Sequence, residues 1–464
     1  MASISTSNIT SGFIDLATFD EIEKYMYGGP DATAYFVRET RKSTWFTQVP
    51  VVLSRAAGSP AFNQEWSVSI SRAGDYLLQT WLRLTTPSVT LAATNQFTVN
   101  GGLRWTRNFM HNIIRECCIT FNDLVAARFD NYHLDFWAAF TVPAGKRNGY
   151  NNMIGNIPDL TNDHMAGSVI PSYTLNLPLP FFYGRDSGVS LPTAALPYNE
   201  MRINFSFRDW SDLLIIDNFA PAAGAKMSFP ALASDLVGGS PTLGTTQVWA
   251  DYSIVSNDER KRMGCAPRDI LIEQVQTAPR QTFAPATNPV PSYDIRFSHA
   301  VKVLFFSVRN TTNSAEWSNY TAASPVPGAI VNYSPAGAVD PILQTSLIYE
   351  NTNRLAQMGS DYFSLMNPYF HAPVIPLETG YHTYSYSLDF ICLDPMGSTN
   401  YGKLTNVSVV PEASAGAITG ASITAATASA ISGLSSAQTY EFILTAVNNN
   451  IIRVSGGALG FPVL

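Results

Sequence analysis

Glu65-Trp-Ser-Val-Ser-Ile-Ser71 decides the fold, because a stretch of the same design, Tyr293-Asp-Ile-Arg-Phe297, recurs in a neighbourhood displaced by about 226 residues. In the first, Trp66, Val68 and Ile70 alternate with polar residues; in the second, Tyr293, Ile295 and Phe297 alternate with Asp294 and Arg296. Period two marks a strand with one face buried. The flanks repeat as well. Phe46-Thr-Gln-Val-Pro-Val-Val-Leu53 precedes one copy and Ile272-Glu-Gln-Val-Gln-Thr277 the other, while Asp75-Tyr-Leu-Leu-Gln-Thr-Trp-Leu-Arg-Leu84 and Val301-Lys-Val-Leu-Phe-Phe-Ser-Val-Arg309 follow them.

Further out, Cys118-Ile-Thr-Phe-Asn122 leads into an expected helix from Phe129 to Phe140, and Ser346-Leu-Ile-Tyr-Glu350 into one from Ser360 to Met366. Ile203, Phe205 and Phe207 are matched with Tyr384, Tyr386 and Leu388, and Leu213-Leu-Ile-Ile-Asp217 with Leu404-Thr-Asn-Val-Ser-Val-Val410. Val248-Trp-Ala-Asp-Tyr252 and Tyr440-Glu-Phe-Ile-Leu444 close the two copies. One such match arises easily by chance; several in one order indicate a duplicated unit. Dense strands with helices only as insertions imply antiparallel sheets packed in pairs. The expectation is an all-β chain of two tandem jelly-roll sandwiches, a double jelly roll, with short helical insertions and an N-terminal arm.

The boundaries read as an arm over 1–44, a first jelly roll over 45–258, a linker over 259–268 and a second jelly roll over 269–464. The linker, Glu259-Arg-Lys-Arg-Met-Gly-Cys-Ala-Pro-Arg268, clusters charge and is interrupted by Pro267. In the arm, Thr18-Phe-Asp-Glu21 has a capping-box pattern, Phe19, Ile22 and Met26 share a helical face, and Gly28-Gly29 supplies a stop. A short amphipathic helix outside the repeats suggests an element that docks elsewhere.

Composition narrows the function. The chain has 464 residues, 28 Lys+Arg against 35 Asp+Glu, a net charge of −7, and only 14% charged residues. An electrostatic nucleic-acid binder is therefore not expected. Only 7 of the cations are Lys, and Arg is better suited to partly buried contacts between packed surfaces. The start, Met1-Ala-Ser-Ile-Ser-Thr6, reads as neither a secretory signal nor, with Ala2, a myristoylation site. The four cysteines, with Cys117 and Cys118 adjacent, form no disulfide or zinc pattern and are expected to be reduced, in a chain made inside the cell. Ala413 to Tyr440 is uncharged, yet too weakly apolar to span a membrane, and is expected to be a long surface loop.

No constellation points to catalysis, a metal or a cofactor. Gly-x-Ser-x-Gly and Gly-x-Gly-x-x-Gly are absent. Gly397-Ser-Thr-Asn-Tyr-Gly-Lys403 has P-loop spacing, but Leu404 stands where a hydroxyl must hold Mg²⁺, so a strand-connecting loop is expected. The six histidines, His111, His133, His164, His299, His371 and His382, are scattered. His111 with Glu116, Cys117 and Cys118 is the densest ligand-type set, but neighbouring cysteines on a strand face opposite ways. Asp212 with Asp217, and Asp20 with Glu21 and Glu23, read as solvated carboxylates, and Arg260-Lys261-Arg262 as a linker with local ion pairs. Glycosylation sequons at Asn8, Asn204, Asn310, Asn319, Asn332 and Asn406, three of them in an expected exposed loop after Arg309, are expected to be unused.

Several longer stretches carry a family resemblance: Ile9-Thr-Ser-Gly-Phe-Ile-Asp-Leu16, Val37-Arg-Glu-Thr-Arg-Lys-Ser-Thr-Trp-Phe46, Glu65 to Ser71, Asn108-Phe-Met-His-Asn-Ile-Ile-Arg-Glu-Cys117, Leu196-Pro-Tyr-Asn-Glu200 and Gly397 to Gly402. Together they closely resemble the major capsid proteins of iridoviruses, nearly end to end. The resemblance implies a homotrimer whose six jelly rolls form a pseudo-hexagonal capsomer, contacts with neighbouring capsomers and minor capsid proteins, and a shell over an internal viral membrane without direct nucleic-acid contact. It implies a virion capsid protein synthesised and assembled in the host cytoplasm, and it brings no catalytic residues. The rivals are a glycan-binding attachment protein using loop aromatics such as Tyr320 and Tyr333, and a jelly-roll hydrolase, which the missing nucleophile and histidine motifs disfavour.

Overall fold

The computed structural model describes residues 2–27, 42–93, 101–218, 227–286, 290–322, 340–422 and 437–461. Contacts divide the chain into residues 1–45 and 46–464. In the first unit, helix α1 (Ala2–Ala17) is followed by α2 (Glu21–Tyr27). The expected capping box at Thr18 is not formed. Asp20 caps α2 instead, its Oδ1 accepting from the amides of Ile22 and Glu23 at 3.0 and 3.2 Å, while the Thr18 hydroxyl donates back to the Asp15 carbonyl. Asp20 is the residue immediately before the helix, where a short acceptor side chain reaches the free amides of the first turn. Gly28 and Gly29 lie outside the described residues.

In the second unit, eight strands form the first jelly roll: β1 (Phe46–Val52), β2 (Glu65–Ser69), β3 (Tyr76–Thr85), β4 (Ile114–Phe121), β5 (Leu124–Phe129), β6 (Thr174–Pro178), β7 (Met201–Phe207) and β8 (Thr246–Val255). They pair antiparallel as β1-β8-β3-β6 and β2-β7-β4-β5, with Ser54–Gly58 added beside β2. Eight more form the second: β9 (Arg268–Thr277), β10 (Tyr293–Ile295), β11 (Ala300–Asn310), β12 (Ile342–Tyr349), β13 (Thr352–Gly359), β14 (His382–Ser385), β15 (Val407–Ala413) and β16 (Tyr440–Ser455). Their order is β9-β16-β11-β14 and β10-β15-β12-β13. Each strand of the second roll thus occupies the place of the strand eight positions earlier in the first.

The alternation read from sequence is what fills the cores. Trp66, Phe205 and Cys117 stand in one cross-strand row of the first roll, Val68, Ile203 and Ile119 in the next, all buried. In the second roll Tyr293, Val409 and Leu347 form the matching row.

Two matches drawn from the sequence are corrected by this register. Met201–Phe207 corresponds to Val407–Ala413, not to Tyr384–Leu388; His382–Ser385 instead occupies the place of Thr174–Pro178. Leu214–Asn218 has no counterpart among the described residues of the second roll. It belongs to an extra sheet with Met227–Pro230, Gly101–Trp105 and His164–Met165. Alternation reveals which face of a strand is buried, not which sheet it joins.

The helical insertions also shift. The first is α3 (Asn131–Thr141), followed by α4 (Ala144–Ile154); the second is a π-helical turn, Tyr362–Met366, running into Asn367–His371. The expected linker is not irregular: Asn257–Cys265 is helical, and β9 begins at Arg268. The segment from Ala413, expected as loop throughout, contains the helix Ala415–Ala421 capped by the Ser414 hydroxyl; residues 423–436 lie outside the described residues. Among the described residues no helix is long and apolar enough to cross a membrane.

Candidate assembly interface

The chemistry-bearing side chains gather where the two rolls meet. Helix α3 is capped by Asp130, whose carboxylate accepts from the His133 amide at 3.0 Å. Tyr132, Phe136 and Phe140 recur every four residues and so share one face. They pack on Val303 and Phe305 of β11, Ile443 and Val447 of β16, and Tyr320, Tyr381 and Phe390, forming one aromatic cluster across the junction. Phe136 and Phe140 both stack on Phe305, with centroids 5.9 and 5.5 Å away. Gly380 allows a close backbone approach to Tyr320 within the second roll: its φ is +100°, and a Cβ there would stand 2.1 Å from the Tyr320 carbonyl oxygen.

A carboxylate is buried in this apolar setting. Asp135 is 2% exposed and accepts from His111 Nδ1 at 2.7 Å, Asn108 Nδ2 at 3.2 Å, Ser318 Oγ at 3.0 Å and the Tyr320 hydroxyl at 2.8 Å. His111 Nε2 in turn meets the Tyr150 hydroxyl at 2.6 Å. Donors from both rolls thus compensate one charge, which is the condition for burying it.

Beside it, the guanidinium carbons of Arg208 and Arg309 lie 3.5 and 4.0 Å from the centroid of the Trp317 ring, whose indole N–H donates to the Asp212 carbonyl at 2.8 Å. Arg104, in the extra sheet, donates to Asp217 at 2.7 Å and to Glu316 of the second roll at 2.9 Å. Burial and the neighbouring Asp217 push the Asp163 carboxyl up to about 8, whereas Arg104 holds Asp217 below the usual carboxylate range despite its burial. Glu273 holds Arg185 and the fully buried Lys302, and Arg107 pairs with Glu378. Arg185 also lies 4.4 Å from the Trp137 centroid.

The sequence-singled residues scatter by comparison. His111 sits on the short helix Phe109–Asn112 and serves Asp135, apart from Glu116, Cys117 and Cys118 on β4; Cys117 is buried and Cys118 half-buried. Among the described residues no group of three or more His, Cys, Asp or Glu could hold a metal ion. Asp217, expected to be solvated, is buried on Arg104. Arg262 pairs locally with Glu259, but Arg260 reaches Asp75 on the first roll at 2.7 Å. Gly397 to Lys403 forms a short strand beside β11 and a 3-10 turn, with the Gly397 Cα against the Tyr386 backbone. Asn310 and Asn319 are buried, not in an exposed loop, and Asn332 lies outside the described residues. Tyr320, offered as a glycan contact, is 1% exposed and committed to Asp135; Tyr333 lies outside the described residues.

Asp135, Trp317, Arg104 and Glu316 were not singled out from sequence. One signal was available: a lone carboxylate inside the apolar helix Asn131–Thr141 demands a buried donor set.

Residues 259–460 match the family described as large eukaryotic DNA virus major capsid protein, and residues 34–255 the family described as major capsid protein N-terminus. The chain is 69% identical over 466 residues to the major capsid protein of Costelytra zealandica iridescent virus, covering all of both chains. It is 50% identical to that of Lymphocystis disease virus 1, again covering all of both. Among solved structures it resembles the PBCV-1 virus capsid, with a TM-score of 0.71 at 20% identity over 93% of this chain and 100% of the other. The Faustovirus major capsid protein follows at 0.67 and 11%, covering 94% of each.

Proposed function

Because the chain belongs to the major capsid proteins of large eukaryotic DNA viruses, with iridovirus relatives along its whole length, it is a structural component of a virion shell, and we propose that it works as a homotrimeric capsomer. The observation that carries this reading is the pairing, in one chain, of two rolls with the same strand order, fixed side by side by a buried junction. Two such rolls occupy adjacent places of a six-membered ring, and three copies complete it with a pseudo-hexagonal outline. Closed rings of identical chains use head-to-tail contacts, so one junction type repeats until the ring shuts.

On this reading the chain divides into an arm over 1–44, rolls over 45–258 and 269–464, and a connection over 259–268. Neighbouring capsomers, minor capsid proteins and an internal viral membrane are its contacts, assembly takes place in the host cytoplasm, and the chain performs no catalysis and binds no nucleic acid directly. The net charge of −7 supports the last point, since a basic surface is what nucleic acid selects. Negative-stain imaging of the purified full chain tests the proposal: three-fold averages with a hexagonal outline are expected, and elongated single-chain particles at all concentrations would overturn it.

A further inference from the structure

Within one chain, edge strand β9 of the second roll lies alongside edge strand β5 of the first, with the Gln274 side chain donating to the Ala126 carbonyl at 2.7 Å. The α3 insertion that follows β5 covers the outer face of the β9-β16-β11-β14 sheet, through Phe136 and Phe140 on Phe305. Among the described residues the same parts exist a second time without a partner. Edge strand β1, equivalent to β9, is exposed along almost its whole length, and β13, equivalent to β5, is mostly exposed.

The insertion after β13 carries Tyr369 and Phe370, 68% and 67% exposed. On the outer face of the first roll, register places Val52, Trp249, Trp81 and Pro178 in one row across all four strands β1, β8, β3 and β6. Val52 is 40% exposed, Trp81 stacks on Trp249 with centroids 6.2 Å apart, and the Trp249 indole N–H has no hydrogen-bond partner. A cavity of about 640 Å³, lined by Trp81, Leu134, Trp137, Tyr150 and Met153, opens beside this row.

Resting on the homotrimer reading above, we infer that the ring closes by repeating the intrachain junction between copies. The segment Tyr362–His371 of one copy, led by Tyr369 and Phe370, seats on the Val52–Trp249–Trp81–Pro178 row of a second copy, while β13 comes alongside the β1 edge. The fit is of like with like. The internal junction already shows an aromatic insertion seated on an apolar sheet row, and the external pair offers the same chemistry, with Tyr369 and Phe370 exposed on the donating side and Trp81 and Trp249 half-buried on the receiving side. Aromatic side chains desolvated at the centre of a contact carry most of its binding energy.

Sedimentation of the full chain tests this. Wild type is compared with Tyr369→Ser/Phe370→Ser on the donating side and Trp249→Arg on the receiving side; Val52→Glu, at a more exposed position, stands in if Trp249→Arg loses its wild-type circular dichroism. Each variant is expected to be monomeric, with the trimer midpoint concentration raised roughly thirtyfold or more. An equimolar mixture of the two variants retains one intact junction per pair, so a 1:1 complex that never reaches trimer is expected. Trimers from either variant, trimers from the mixture, or a mixture that stays monomeric would each overturn the inference. A wild-type chain that never trimerises would instead overturn the homotrimer reading on which it rests.

Discussion

The Tyr320 hydroxyl, in the second jelly roll, donates to the buried carboxylate of Asp135, in the helical insertion of the first, at 2.8 Å. The two residues are 185 positions apart, and the bond ties the rolls at a point from which water is excluded. A buried charge held by donors from both rolls makes their separation costly, because each half would keep an uncompensated polar group.

Asp135→Ala should therefore destabilise the chain by ~3–5 kcal/mol, leaving His111, Asn108, Ser318 and Tyr320 without their acceptor. Urea unfolding at neutral pH measures this. A loss under about 1 kcal/mol, the range of a surface substitution, would show that Asp135 does not anchor the junction.

Trp317→Ala removes the ring over which Arg208 and Arg309 converge and opens a cavity between the rolls. The expected loss is ~3–5 kcal/mol, with Trp317→Phe losing clearly less because a stacking surface remains. Equal losses from both replacements would contradict the stacking account and leave the bond from the indole N–H to the Asp212 carbonyl as the dominant contribution.

His133 gives the junction an acid sensitivity. It is fully buried near Phe129, Trp137 and Phe305, and burial, helped by the positive charge of Arg185, lowers its pKa from 6.5 to about 3. The folded state thus resists protonation that the unfolded state accepts. The stability from the neutral ring is fully present above pH 6.5 and is lost as pH falls toward 3. At pH 5 the loss is about 2 kcal/mol, from a gap of about 1.5 pH units at ~1.4 kcal/mol each. His133→Phe should gain that amount over wild type at pH 5 and little at pH 8, measured by urea unfolding at both. A difference between the two proteins that is the same at both pH values would exclude this origin.

The duplicated architecture was legible because each roll buries one face of most strands, and period two survives in the sequence wherever that holds. It failed at His382–Ser385, where the sequence alternates from Tyr384 onward although all four strand residues are buried, so the alternation pointed to the wrong sheet. It failed again at Leu214–Asn218, whose buried residues read like a repeated strand although they build an extra sheet. The junction was hidden for a different reason. Arg104, Glu316, Asp135 and Tyr320 have partners in the other roll or across long loops, and no local period records a contact between such distant positions. Only the aromatic spacing of Tyr132, Phe136 and Phe140 and the misplaced carboxylate beside them pointed there.

The N-terminal unit makes a separate prediction. Residues 1–45 divide from the rest of the chain by their contacts and contain two helices of their own. Deleting residues 1–44 should leave trimers intact and impair assembly of trimers into larger arrays, followed by sedimentation and electron microscopy. Loss of the trimer itself would assign the arm to building the capsomer.

The most direct test of the account is the mass of the purified full-length chain in solution, by light scattering across a concentration series. The account predicts a plateau at three times the 50.6 kDa chain mass. A plateau at the single-chain mass, or at twice it, would contradict a ring closed by three copies.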